Sequence, residues 1–166
     1  MFQLKSLSRE AVPAALEKAH RYRLLNEAQE AESICRDVLE VEAGNQEALV
    51  TLLLALTDQF QERLHPTMDQ AREVLARLGD DYSRAYYAGI LAERQAKAQW
   101  RRGGMHAGHI AYAGFREAME HFEKAASIRP PGNDDALLRW NTCARLLMAH
   151  RELTPAPQDP VEQWLE

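Results

Sequence analysis

Long apolar runs are missing from this chain. Spanning a bilayer takes about 18 or more consecutive apolar residues, and the longest candidate, Ala48 to Leu56, is only long enough to be one buried helix face. The opening Met-Phe-Gln-Leu-Lys-Ser-Leu-Ser has no apolar core of secretory length and no small-residue cleavage site. Both features point to a soluble, cytoplasmic protein. Cysteine is scarce: Cys35 and Cys143 are the only two. Each falls within an apolar helical face, as a small core residue in a reducing compartment would. No run alternates apolar and polar residues as a half-buried strand does, so the expected class is all-α. Basic tracts are also absent. The net charge is −5 with acids and bases interleaved, which argues against nucleic acid or an anionic membrane as partner. No Ser-His-Asp set, glycine-rich phosphate loop or carboxylate pair on a rigid scaffold is present. The expectation is a protein that is not an enzyme and carries no cofactor. The many glutamates read as solvated outer faces of helices.

What is present is enough apolar material, 46% of 166 residues, for one domain with a sizeable core. The most informative stretch runs from Phe115 to Asn133. Ala118, Phe122 and Ala125 lie three or four residues apart and share a helix face, widened by Met119, Ala126 and Ile128. Arg116, Glu117, Glu120, Glu123 and Lys124 lie largely opposite. Pro130 cannot continue the helix and Pro131-Gly132 makes a turn. Asn133 is then a candidate N-cap for a last helix opening at Asp134-Asp135.

The same stripe recurs. Ala31, Cys35 and Val38 repeat it in a helix expected to start after Asn26 and to stop at Ala43-Gly44-Asn45. Ala71, Leu75 and Leu78 repeat it after a Thr67/Gln70 capping box, with Gly79 as the left-handed C-terminal residue. Between these lie partner helices: one from Ser8 to about Leu25, one from Gln46 to about Leu64 ended by His65-Pro66, and one opening at Asp80-Asp81 and ended by Gly103-Gly104. The Gln46 helix is apolar nearly all round and so should be central.

Small, aromatic and small residues at this spacing, followed by proline, resemble the second helix of a tetratricopeptide repeat. Residues 12–45 form a unit of 34 residues, the period of that family. Residues 46–82 form a second of 37, and 83–133 a third of 51, about 17 over the family period. A helix over 134–152 would cap the third unit. The repeat domain thus covers 1–153, and 154–166 is a proline-rich tail in which Trp164-Leu165 is expected to dock on the helices. The resemblance implies a stack of antiparallel helical hairpins, right-handed, that binds a partner protein or peptide through a concave groove lined by the first helix of each unit. In this register that face carries Leu16, His20 and Arg23, then Glu47, Val50, Leu54 and Thr57. Arg84, Tyr87, Leu91 and Arg94 follow, and then Leu138, Thr142 and Arg145. Apolar with an arginine rim, such a groove suits a peptide with apolar anchors and acidic flanks. Burial by packing within a repeat competes with that role for each apolar member. Some relatives hold chaperone C-termini with Lys and Asn side chains. The matching positions here are Leu16, His20 and Thr51, with Arg84 as one surviving cation, which argues against a chaperone adaptor.

Two further expectations concern the long third unit. Its tip carries Trp100, Met105, Ile110 and Tyr112, edged by Arg101, Arg102 and Arg116, and is a candidate surface for homodimerisation or a second partner. It also carries His106-x-x-His109, a spacing at which two imidazoles can share a metal or a haem iron. That is the alternative reading of the chain's function.

Overall fold

The computed structural model describes residues 2–157, with only the backbone of His65 and Pro66. Among the described residues the chain is all-α. A 3₁₀ turn, Arg9–Ala11, leads into α1 (Val12–Leu24), α2 (Ala28–Val41), α3 (Gln46–Asp58) and α4 (Phe60–Ala76). Then come α5 (Asp81–Arg102), α6 (Ala107–Ser127) and α7 (Asp135–Ala149). Each helix packs on the next in chain order, and α1 also touches α3, as α3 touches α5. No helix among them is long and apolar enough to cross a membrane.

Local chemistry explains most boundaries. Asn45 and Asp80 cap α3 and α5, their side chains accepting from the N–H of Ala48 and Ser83 at 2.9 and 2.8 Å. That bond and the nearby Arg84 hold the Asp80 carboxyl below its usual range. Pro13 sits in the first turn of α1, where its missing N–H costs nothing. Gly103 and Gly104 end α5 with φ of 69° and 104°, conformations that a side chain would strain.

Five expected boundary features are different. Asn26 does not cap α2. It takes the left-handed conformation (φ 62°) after α1, and Glu27 N–H bonds back to Tyr22 at 2.9 Å, a Schellman ending in which Asn substitutes for Gly. The Gln46 helix stops at Asp58, six residues before Leu64, and His65-Pro66 lies inside α4. The break comes at Gln59, and α4 is kinked at Arg63 (φ −138°, ψ 51°), so Pro66 falls in the first turn after the kink, where proline is tolerated. Thr67 therefore caps nothing: its hydroxyl donates to the carbonyls of Arg63 and Leu64. Gly79 has no positive φ; its N–H donates to the Gln46 side chain at 2.8 Å instead. Asn133 lies one residue ahead of the cap position of α7, Asp134, and its side chain accepts from Asp135 N–H at 3.1 Å.

Two apolar cores meet in the middle. The first joins α1 to α4, and α3 is buried nearly all round within it through Leu49, Leu52, Leu53 and Leu56. The second joins α5, α6 and α7 through Ile90, Phe115, Met119, Phe122 and Cys143. Leu54 and Tyr87 touch both. The long α5–α6 hairpin is held by small residues. A Cβ at Gly89 would meet the Phe122 ring at 2.5 Å, and one at Gly114 would meet the Ala96 Cβ at 2.9 Å.

After α7 the chain does not leave the surface at once. Leu153 is buried as a member of the second core, which also holds Ala111 and Phe115. The Glu152 carbonyl lies 2.3 Å from where a Cβ of Gly108 would stand, and His109 Nδ1 is 2.9 Å from the Thr154 carbonyl. This segment is a strap across the start of α6. The expected docking of Trp164-Leu165 lies outside the described residues.

Two outcomes follow from this packing. Gly89→Ala should destabilise the protein, because about 1–3 kcal/mol of overpacking against Phe122 exceeds the roughly 1 kcal/mol of helix propensity gained; urea unfolding reads the sign. Burial pushes the Cys35 and Cys143 thiols up to about 12. At pH 8 Ellman's reagent should therefore find no reactive thiol in the native chain and two after unfolding.

Candidate functional site

A cleft of about 440 Å³ lies where the ends of α1 and α3 meet α5, with Asn26 of the α1–α2 turn and the first residues of α2 and α4 completing its lining. Helical spacing puts Arg94, Lys97 and Arg101 on one stripe of α5 along its wall. Arg23, at the end of α1, and Arg139, from α7, complete the set of cations. Arg23 Nε donates to Asp58 Oδ2 at 2.8 Å. Arg94 donates to the other oxygen of Asp58 and to the Thr57 hydroxyl, the latter at 2.7 Å. Nearby, His20 Nε2 stands 3.0 Å from Glu47 Oε1, a second tie between α1 and α3.

Behind the wall lies Glu93, whose side chain is fully buried. Lys97 Nζ donates to its Oε1, and Arg139 Nη2 stands 3.0 Å from its Oε2. A buried carboxylate is tolerated only when paired, so Glu93 draws one cation from α5 and one from α7 to its two sides. The glutamates were expected to lie on solvated faces; Glu93 corrects that. It sits on the stripe of Ala85, Gly89 and Ala96, and an acid amid small buried residues was the signal available. The five cations of the cleft face two carboxylates, leaving three positive charges on a chain whose overall charge is −5.

The expected groove residues divide. Arg23 and Arg94 line the cleft, and Thr57 lies between them. His20 is exposed beside Glu47, and Val50, Leu54 and Tyr87 are half-buried. Leu16 and Leu91 are buried in the first core and present nothing to a ligand. Arg84 donates to the Leu78 carbonyl and to Asp81, both at 2.6 Å, and so is occupied at the start of its own helix. On α7 the expected stripe is displaced by one residue: Arg139 enters the cleft, while Leu138 (62%) and Arg145 are exposed. The sequence reading omitted Asp58, Lys97 and Arg139. Asp58 was hidden by the wrong end assigned to α3.

The tip of the long hairpin also divides. Met105 and Ile110 are exposed at 85% and 50%. Tyr112 is half-buried, and Trp100 packs edge-on to Phe115 and against the His150 ring, with centroids 6.5 and 4.6 Å away. Arg102 donates to the carbonyls of Phe60 and Gln61, fastening the tip to α4. The rings of His106 and His109 are 6.1 Å apart, with one nitrogen of His109 already at the strap. Among the described residues no three His, Cys, Asp or Glu side chains are grouped to hold a metal. A metal there would need ligands from elsewhere.

The chain was compared with protein-family models, with curated proteins and with solved structures, and nothing matched in any of the three.

Replacing one member of the buried pair tests the electrostatics. Arg139→Met should cost about 3 kcal/mol by leaving Glu93 half-neutralised, and adding Glu93→Leu should restore part of that loss. A double-mutant cycle on urea unfolding measures it; additive losses would mean the pair is not coupled.

Proposed function

We propose that the chain is a tetratricopeptide-like stack of three helical hairpins closed by α7. In this reading it acts, without catalysis of its own, as a module that binds a partner protein or peptide along the face of α1, α3 and α5. One observation carries this. Besides their chain neighbours, α1 touches α3 and α3 touches α5, and polar side chains from all three converge on one cleft. In a stack of hairpins the first helices form such a continuous face. Arg94 and Arg23, the two expected rim residues inside the cleft, support the groove. Half-buried Val50, Leu54 and Tyr87 beside it would supply its apolar floor. Met105 and Ile110 favour a smaller role for the hairpin tip, as a second contact for a partner or another copy of the chain.

Site-specific photocrosslinking distinguishes the faces. A photoreactive residue in place of His20 or Glu47, both exposed on the inner face, should capture a partner. The same residue in place of Ser33 or Arg72, exposed on α2 and α4, should capture it at least tenfold less, on the order of one tenfold step in local occupancy. Equal capture from both faces would refute the inner-face assignment.

A further inference from the structure

The two carboxylates of the cleft differ in kind. Glu93 is sealed in the core between α5 and α7. Asp58 is at the solvent edge, its side chain 28% exposed, and is the last residue of α3. An acid is disfavoured at a helix C-terminus, where the macrodipole is negative. Asp58 is held there from outside, by Arg23 of α1 and Arg94 of α5, one on each oxygen. Two guanidinium groups from different helices thus converge on one carboxylate lining a cleft that opens to solvent. These side chains are only 20–28% exposed and two guanidinium groups share the carboxylate, so the pairs are firmer than open surface pairs, yet one edge of the site stays open to water and salt. The site holds a carboxylate at its solvent edge, where a second carboxylate would meet the same two guanidinium groups.

We propose that this cleft takes an acidic peptide segment and that Asp58 is its built-in competitor. This rests on the inner-face reading above. The incoming carboxylate takes over Arg23 and Arg94 as Asp58 turns out to water. From Arg94 to Arg101 the helix rises about 10 Å, the length of about three residues of extended peptide, so Arg101 meets the next acidic group, while Lys97, turned to Glu93, adds its charge to the wall between them. Arg139, already facing Glu93, adds its charge to the far wall. Peptide is favoured over nucleic acid because the three surplus positive charges are confined to one cleft on an acidic protein. A long polyanion would meet repulsion outside it. The aromatic residue in the lining, Phe60, is buried and offers no face for stacking bases.

The test uses the full chain and a fluorescein-labelled hexaglutamate peptide, followed by fluorescence anisotropy at low and moderate salt. Binding should be saturable and should weaken with salt. Asp58→Asn should bind about tenfold tighter, because the competitor is gone while the shape is kept. Arg101→Glu, at an exposed position, should bind at least about tenfold more weakly with an unchanged thermal melt. Tighter binding of a six-nucleotide DNA, or equal binding of hexalysine, would overturn the choice of ligand, as would an Arg101→Glu variant that binds like wild type. If Asp58→Asn binds no better than wild type, the competitor role is lost. Should that variant fail to fold, Arg23→Gln decides: weaker hexaglutamate binding supports a shared carboxylate site, and unchanged binding refutes it. Crosslinking from His20 and Glu47 does not depend on these charges, so the module can stand when this proposal falls.

Discussion

The close approach of α5 and α6 is the constraint on which the rest depends. Gly89 leaves the space that the Phe122 ring fills and Gly114 packs against Ala96, so the two longest helices interlock at these points with no room for a further side chain. This makes the hairpin a rigid spine. One edge of α5 carries Arg94, Lys97 and Arg101 into the cleft. The far side of α6 receives α7 and, through Gly108, the strap that follows it. A single extra methyl at Gly89 would move Phe122, and with it the second core that sets the position of α7 and therefore of Arg139.

Charge is distributed by the same spine. An acidic protein concentrates cations in one concavity, and does so with two carboxylates in unlike surroundings. Glu93, cut off from water, fixes where Lys97 and Arg139 stand; Asp58, at the edge of water, holds Arg23 and Arg94 while leaving them reachable. The first is structural because desolvation makes its loss expensive. The second keeps one side open to solvent, which is where a competing carboxylate would enter. The extra length of the third hairpin serves this arrangement as well, since Arg101 and the Arg102 contact to α4 both lie beyond the length of the other hairpins.

Signals that act within one or two turns of chain were legible. Asn45, Gly103-Gly104 and Pro130-Gly132 mark boundaries that hold, because a cap or a positive φ is decided by neighbours in sequence. The Ala118-Phe122-Ala125 and Ala31-Cys35-Val38 stripes are buried as their spacing implies, and α3, apolar all round, is central. Where two local signals compete, the reading failed. His65-Pro66 looks like a helix end, yet the break falls at Gln59, and the helix absorbs the proline after a kink.

The amino-acid sequence by itself determined that the chain is helical, roughly where its helices run and which stripe of each is buried, because those follow from periodicity and from turn chemistry along the backbone. Only the tertiary structure decided which charged residues meet. Arg23 and Arg94 are 71 residues apart in the chain and reach one carboxylate because α1 and α5 flank the end of α3. Arg139 rather than Leu138 enters the cleft because the rotation of α7 is set by its packing on α6. Glu93 is buried because the spine leaves its position no route to water. Long-range pairing depends on the angle and rotation of packed helices, which no local pattern encodes.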